Sequence, residues 1–173
     1  FGWQEIHGMA NRGSFDLEQH QKHSKKKMEL FDEASKKKVL PGVIEPSQGT
    51  DRAFLAFMFD AYHDDKKRGN VVLKLHSKLA PIQVGVFPLV NKLNDKGMEV
   101  YNMLKDEFVC FYDKSGSVGR RYARADESGI PYCLTIDFET IEKDGCVTLR
   151  NRDTTKQERV KIEELKDKLK TLF

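Results

Sequence analysis

A carboxylate, a hydroxyl and a guanidinium stand close together in Glu45-Pro46-Ser47-Gln48-Gly49-Thr50-Asp51-Arg52. Glu45 can pair with an ammonium group, and Ser47 adds a hydroxyl that donates or accepts a hydrogen bond. A turn at Gly49 would then drop the chain into a helix that begins near Arg52. The start of a helix favours anions. Arginine adds a planar cation that grips phosphate or stacks on a base. One small site would thus offer partners to both an amino acid and a nucleotide. On residue types alone the stretch is short enough to read more readily as an ordinary turn.

The elements that would position these groups follow from periodicity and punctuation. Residues 1–12 read as an extended segment that enters a polar turn at Asn11-Arg12-Gly13, and Asp16 is placed to cap a helix running to about Ser24. Two lysine triplets, Lys25–Lys27 and Lys36–Lys38, surround Met28, Leu30 and Phe31. They read as a solvated, mobile connection, with an RNA contact as the other reading. A short strand Val43-Ile44-Glu45 is expected to break at Pro46. The helix near Arg52–Tyr62 carries Phe54, Leu55, Phe57, Met58 and Phe59 on nearly every side, the pattern of a helix buried inside a domain. His63–Asn70 reads as a charged loop.

Beyond about Leu79 the pattern changes. Gln83–Leu89 is an apolar run suited to a buried strand. Leu93, Gly97, Val100, Tyr101 and Leu104 fall at helical spacing over 92–106. Strands are expected at Phe108–Tyr112 and Tyr132–Phe138, with a helix opening at Gly116–Arg124. Val147–Arg150 and Arg159–Ile162 alternate like a strand pair. A last helix would bury Leu165, Leu169 and Leu172. The fold class is therefore α/β (α+β), with a domain boundary near Lys78: residues 1–78 and then a compact mixed-sheet domain over 79–173.

Composition narrows the function classes. Hydrophobic residues make up 39% and charged residues 33%, which excludes a disordered chain. No apolar run approaches the roughly 20 residues of a membrane helix, and no signal-peptide pattern opens the chain. A net charge of +3 proves no nucleic-acid partner by itself, so the argument rests on where the charges sit. Cys110, Cys133 and Cys146 are odd in number and lack CxxC spacing, so they read as reduced thiols of a cytoplasmic protein rather than disulfides or zinc ligands. His20 and His23 are spaced like metal ligands but have no acidic partner to complete a site.

The stretch VIEPSQGTDRAFLAF resembles motif 3 of class II aminoacyl-tRNA synthetases, in the form that glycyl-tRNA synthetases carry. GWQEIHGMANRGSFDLEQH is similar to the strand and segment that precede it. LKLHSKLAPIQVGVFPL, GSVGRRYARADESGIPYCLTIDF and VTLRNRDTTKQERV are similar to the entry, strands and turns of that family's anticodon-binding domain. The resemblance covers nearly the whole chain in order. It implies the end of an antiparallel-sheet catalytic domain over 1–78, followed by an anticodon-binding domain over 79–173. It also implies ATP-dependent joining of glycine to tRNA(Gly) through a glycyl-adenylate, with Mg2+ as the accompanying ion. On that resemblance Glu45 meets the glycine ammonium, with Pro46, Ser47, Gln48 and Gly49 around the amino acid. Arg52 packs on ATP, Gly49, Thr50 and Asp51 line the nucleotide, and Glu5 and Ile6 are its ATP-contacting pair, with the Glu5 carboxylate on the magnesium. Arg12 is either a phosphate contact or a surface turn arginine. Motif 1, which builds the family's homodimer, and motif 2 are not in these residues, and the first residue is Phe1 rather than Met. The chain therefore reads as a C-terminal portion that would not charge tRNA alone. The competing expectation is a synthetase-like nucleic-acid-binding accessory subunit without catalysis, against which Glu5, Glu45, Ser47 and Arg52 stand together.

The second half offers its own chemistry. Binding of unpaired bases needs cations for phosphate, flat side chains for stacking and groups for base edges. Arg120, Arg121, Tyr122, Arg124, Arg150 and Arg152 are the candidates for the tRNA anticodon, and Asp113 and Glu127 could accept from a cytosine amino group. Each arginine has a competing structural use, an ion pair with Asp126, Glu127 or Asp153.

Overall fold

The computed structural model describes residues 2–173. Contacts divide the chain into two compact units, Phe1–Ala56 and Phe57–Phe173.

In the first unit, β1 (His7–Gly13) leads into α1 (Phe15–Ser24). Ser14 rather than Asp16 occupies the N-cap, and Asp16 is the second residue of the helix, where it receives the Arg12 guanidinium. Part of the lysine-rich stretch is a hairpin, with Lys25–Lys27 in the irregular chain before it. β2 (Leu30–Asp32) pairs antiparallel with β3 (Lys37–Val39), and the Asp32 carboxylate accepts the Ala34 and Ser35 N–H groups to form the turn. β4 (Val43–Gln48) runs straight through Pro46, which lies opposite Met9 in the β1–β4 ladder. A proline breaks the ladder of a central strand, but in a two-stranded sheet both strands are edges and its missing N–H can face outwards.

α2 spans Thr50–Ala61, and Ala61 is its only buried residue. The expectation of an enclosed helix is not met: Phe54, Leu55, Phe57 and Phe59 are exposed, Phe59 at 81%. An all-round apolar helix is buried only by elements laid against each side. The described residues leave these side chains about half or more exposed.

In the second unit the expected charged loop is a hairpin. β5 (Tyr62–Asp65) pairs with β6 (Asn70–Leu73) across a turn closed by Asp65 Oδ1, which accepts the Lys67 N–H, and by Gly69 at φ +72°. The remaining elements are β7 (Val84–Pro88), α3 (Asn94–Leu104), β8 (Cys110–Tyr112), α4 (Val118–Glu127), β9 (Tyr132–Ile136), α5 (Phe138–Glu142), β10 (Cys146–Asn151), β11 (Gln157–Lys161) and α6 (Leu165–Lys170). Five strands form one mixed sheet in the order β11-β10-β9-β7-β8, with β7 parallel to β8 and β9 and the other pairs antiparallel. Every residue of β7 is buried, as its apolar run requires at the sheet centre. Val84, Val86, Leu134, Ile136, Val147 and Leu149 pack with Val100 and Leu104 of α3 and Leu165 and Leu169 of α6 into the main core. A smaller cluster of Phe87, Ala125, Ile130 and Cys133 forms another core. This is the mixed-sheet α/β architecture that the sequence pattern predicts. Among the described residues no helix is long and apolar enough to cross a membrane.

Candidate functional site

The first group of predicted site residues lies on the β1–β4 pair. Its register sets Glu45 opposite Ala10 and Ser47 opposite Gly8. Directly opposed residues project to the same face, and residues two apart in a strand share that face. Glu45 and Ser47 therefore flank two positions with almost no side chain. Glu5 belongs to the same face, because its Oε1 lies 3.5 Å from the place a Cβ on Gly8 would take. The result is a shallow polar surface with two carboxylates and a hydroxyl around a floor of Gly8 and Ala10. Alternation puts Pro46 and Gln48 on the opposite face, so the strand does not bring them together with Glu45 and Ser47.

Arg12 sits where the ladder slips between Asn11 and Gly13. Its guanidinium reaches Glu45 Oε2 at 3.0 Å and donates to both Asp16 oxygens, one of them at 2.7 Å. The Arg12 hydrogen bond holds the Asp16 carboxyl below the usual range, and the same pair holds the guanidinium proton more tightly than usual. Arg12 is thus engaged by two carboxylates, one of which is Glu45. Arg52 donates from Nη1 to the Glu5 carbonyl oxygen at 2.5 Å, 47 residues away in sequence. Its aliphatic stem covers the Cα of Gly49, where a Cβ would meet it at 3.9 Å. One arginine thereby ties the start of α2 to the segment before β1. Ile6, Thr50 and Asp51 are exposed, the last two in the first turn of α2.

The second group lies around α4. Ser117 caps this helix, its hydroxyl accepting the Arg120 N–H. The six anticodon candidates separate by burial. Arg121 is buried and donates to the carbonyls of Pro88, Gly116 at 2.6 Å and Ser115 at 3.4 Å, tying the end of β7 to the loop before α4. Arg150 is buried in a bidentate pair with Asp126 at 2.8 and 2.9 Å. Burial works to lower its pKa, and Asp126 outweighs that and raises it. Arg152 is buried, with hydrogen bonds to the Gly129 carbonyl at 2.8 Å and the Leu75 carbonyl at 2.6 Å and a pair with Asp153. Arg150 and Arg152 thus make the ion pairs with Asp126 and Asp153 that compete with an RNA contact, whereas Arg121 meets only backbone carbonyls. Tyr122 packs its ring edge-on to Phe87, lies under Arg150 and shares a hydrogen bond with Thr135.

Arg120 and Arg124 remain towards solvent. Arg120 is exposed and makes no ion pair among the described residues. Arg124 pairs with Asp113 Oδ2 at 2.5 Å and donates to the Ser115 carbonyl at 2.7 Å, with its side chain 43% exposed. Burial works to raise the Asp113 pKa, and the Ser115 N–H and the Arg124 guanidinium outweigh it, leaving the carboxyl ionised below its usual range. Glu127 is exposed. Sequence reasoning missed Arg68, which donates to the Arg152 carbonyl at 2.7 Å and the Asp153 carbonyl at 3.0 Å and pairs with Asp65 and Asp126. No spacing in the sequence signals an arginine whose partners other than Asp65 lie 58 to 85 residues away.

Burial raises the Cys133 thiol to about 12 and the Cys110 thiol to about 11, so neither is a thiolate nucleophile at neutral pH. Among the described residues no group of three His, Cys, Asp or Glu side chains is arranged to hold a metal ion.

Comparison with known proteins gives two findings. A family described as an anticodon binding domain matches residues 83–172. The chain is also similar to glycine–tRNA ligases. That of Clostridium kluyveri is 49% identical over 173 residues, which cover 98% of this chain and 37% of the relative. The ligase of Malacoplasma penetrans is 49% identical over 99% of this chain and 38% of its own length. That of Alkaliphilus metalliredigens is 49% identical over 95% of this chain and 36% of its own. The chain thus spans little more than a third of the length of the curated relatives it matches.

Proposed function

The chain belongs to the anticodon binding domain family, and on that premise we propose that it serves as part of a glycyl-tRNA synthetase. In this reading residues 79–173 bind the anticodon of tRNA(Gly), and residues 1–78 are the end of a class II catalytic domain. The complete enzyme, working in the cytoplasm as a homodimer, joins glycine to tRNA through a glycyl-adenylate made with ATP. The observation that carries the reading is the face shared by Glu5, Glu45 and Ser47 over the Gly8–Ala10 floor. It suits a small zwitterion, offering carboxylates to its ammonium group and a hydroxyl to its carboxylate.

Each residue then has a physical task. Glu45 takes the glycine ammonium on the oxygen that Arg12 leaves free, and Arg12, itself anchored by Asp16, is a positioning residue for that carboxylate. Ser47 hydrogen-bonds the amino acid. Arg52, held by the Glu5 carbonyl and supported by the Gly49 turn, presents its guanidinium plane to the nucleotide. Magnesium is usually held by one or two carboxylates together with phosphate oxygens and water. The exposed Glu5 fits that need, and the ion would neutralise phosphate charge. Little covalent work falls to the protein, and positioning with charge stabilisation dominates. On the anticodon side Arg120 and Arg124 are the contacts, and Arg121, Arg150 and Arg152 hold the surface in shape.

Glycine-dependent ATP–pyrophosphate exchange by the complete enzyme tests this reading. Glu45→Gln removes a charge-assisted hydrogen bond and should lower exchange by about 10- to 150-fold. Arg120→Ala should weaken tRNA charging while leaving exchange intact. Exchange that prefers another amino acid, or ignores Glu45→Gln, would refute the assignment.

A further inference from the structure

Residues 22–38 hold seven lysines against Glu29, Asp32 and Glu33, a net charge of +4 where the whole chain carries +3, so everything outside this segment sums to −1. Lys36 pairs with Glu33 at 2.7 Å. Among the described residues Lys22, Lys25, Lys26, Lys27, Lys37 and Lys38 form no ion pair. The hairpin that carries the second triplet has two uncovered faces. Leu30 lies opposite Val39 and Asp32 opposite Lys37 on one face, and Phe31 lies opposite Lys38 on the other. Leu30 is 63%, Phe31 54% and Val39 39% exposed. A two-stranded hairpin without a covered face is marginal in water, and clustered like charges repel. A polyanion would relieve both.

We propose that this segment is a second, sequence-independent RNA contact, in which Lys25, Lys26, Lys27, Lys37 and Lys38 grip phosphates and Phe31 stacks on an unpaired base. The proposal rests on the synthetase reading above. A cation beside an exposed ring on one sheet face is the pairing that single-stranded RNA surfaces use, charge for the backbone and a flat side chain for the base. A lipid surface fits less well. It needs the apolar side chains on one side, and here Leu30 and Val39 face away from Phe31.

The test is tRNA(Gly) binding by the complete protein across about 50 to 200 mM salt, where each phosphate contact contributes about 0.7–0.9 to the slope of log affinity against log salt. Replacing the five lysines by alanine should make that slope shallower by about 2–4 units, and the loss of affinity should be equal for a tRNA with an altered anticodon. Replacing them by arginine should preserve the slope. Phe31→Ala should weaken binding and leave the slope unchanged. If the alanine variant keeps the wild-type slope while Arg120→Ala still weakens binding, the hairpin contact is refuted and the anticodon reading stands. If the arginine variant loses binding as well, the lysines only support folding, and the proposal fails. Lysine-dependent binding to phosphatidylserine vesicles without lysine-dependent RNA binding also refutes it. Absence of any tRNA binding by the unaltered protein would overturn this inference and the synthetase reading together.

Discussion

Asp126 shows how an arginine-rich surface becomes a scaffold. Its carboxylate is buried to 2% exposure, accepts both nitrogens of Arg150 and receives Arg68 at 3.3 Å. Arg68 in turn holds the carbonyls of Arg152 and Asp153, so one carboxylate anchors arginines from two separate stretches of chain. Buried pairs of this kind gain little over apolar replacements, but breaking one leaves an uncompensated charge and costs about 3–5 kcal/mol. Asp126→Asn should therefore lower stability by about that amount in urea unfolding, with an unchanged slope against denaturant. Arg120→Ala should leave the unfolding midpoint where it was, because its guanidinium makes no ion pair among the described residues. A loss below about 1 kcal/mol for Asp126→Asn would mean that water reaches the pair and screens it.

At the level of elements, β7 is the strand most constrained by its surroundings. It is parallel to β8 on one side and β9 on the other, and Gly85 sits where a Cβ would lie 2.7 Å from Phe87 Cζ and 3.3 Å from Cys133 Sγ. Phe87 and Cys133 are fully buried and have nowhere to retreat. Gly85→Ala should cost about 1–3 kcal/mol of stability by overpacking, and an unaltered melting temperature would show that the small core has slack. This strand was legible in the sequence as a continuous apolar run, and α3 was legible from the spacing of Leu93, Gly97, Val100 and Leu104. The β5–β6 hairpin was not, because Tyr62-His63-Asp64-Asp65 shows no apolar alternation and its pairing is imposed by the Asp65–Gly69 turn. Pro46 misled for a related reason: a proline forbids a central strand, and the sequence does not say how many strands the sheet has. Residue types alone single out Glu45–Arg52 without separating a site from a turn, and the floor of Gly8 and Ala10 beside it depends on a register with β1 that no local pattern encodes. Burial of Arg121, Arg150 and Arg152 was likewise invisible, since arginine is usually exposed.

At the scale of the whole molecule, burial is distributed very unevenly along the chain. No residue from 2 to 60 is fully buried, whereas from Ala61 onwards two core clusters fill the space around the five-stranded sheet. Hydrophobic burial supplies the dominant favourable term in folding, so the two units should differ in local stability and not only in sequence. Local opening is easiest where few apolar contacts and solvent-exposed backbone bonds coincide, and that describes the β1–β4 and β2–β3 ladders. Native-state hydrogen exchange should find the slowest amides in β7, β9 and β10, close to the global unfolding limit. Amides of β2 and β3 should exchange through local opening that is insensitive to low denaturant. Adding tRNA(Gly) should then slow exchange at 30–32 and 37–39 if the lysine hairpin docks on RNA, and at 115–120 if the Ser117–Arg120 turn reads the anticodon. Because hairpin and turn lie in different units, the two protections can be lost separately: the five-lysine alanine variant should abolish the first and spare the second. Exchange as slow in β2 and β3 as in β7 before any RNA is added would contradict this picture, since it would require a core beneath the hairpin that residues 2–60 do not form.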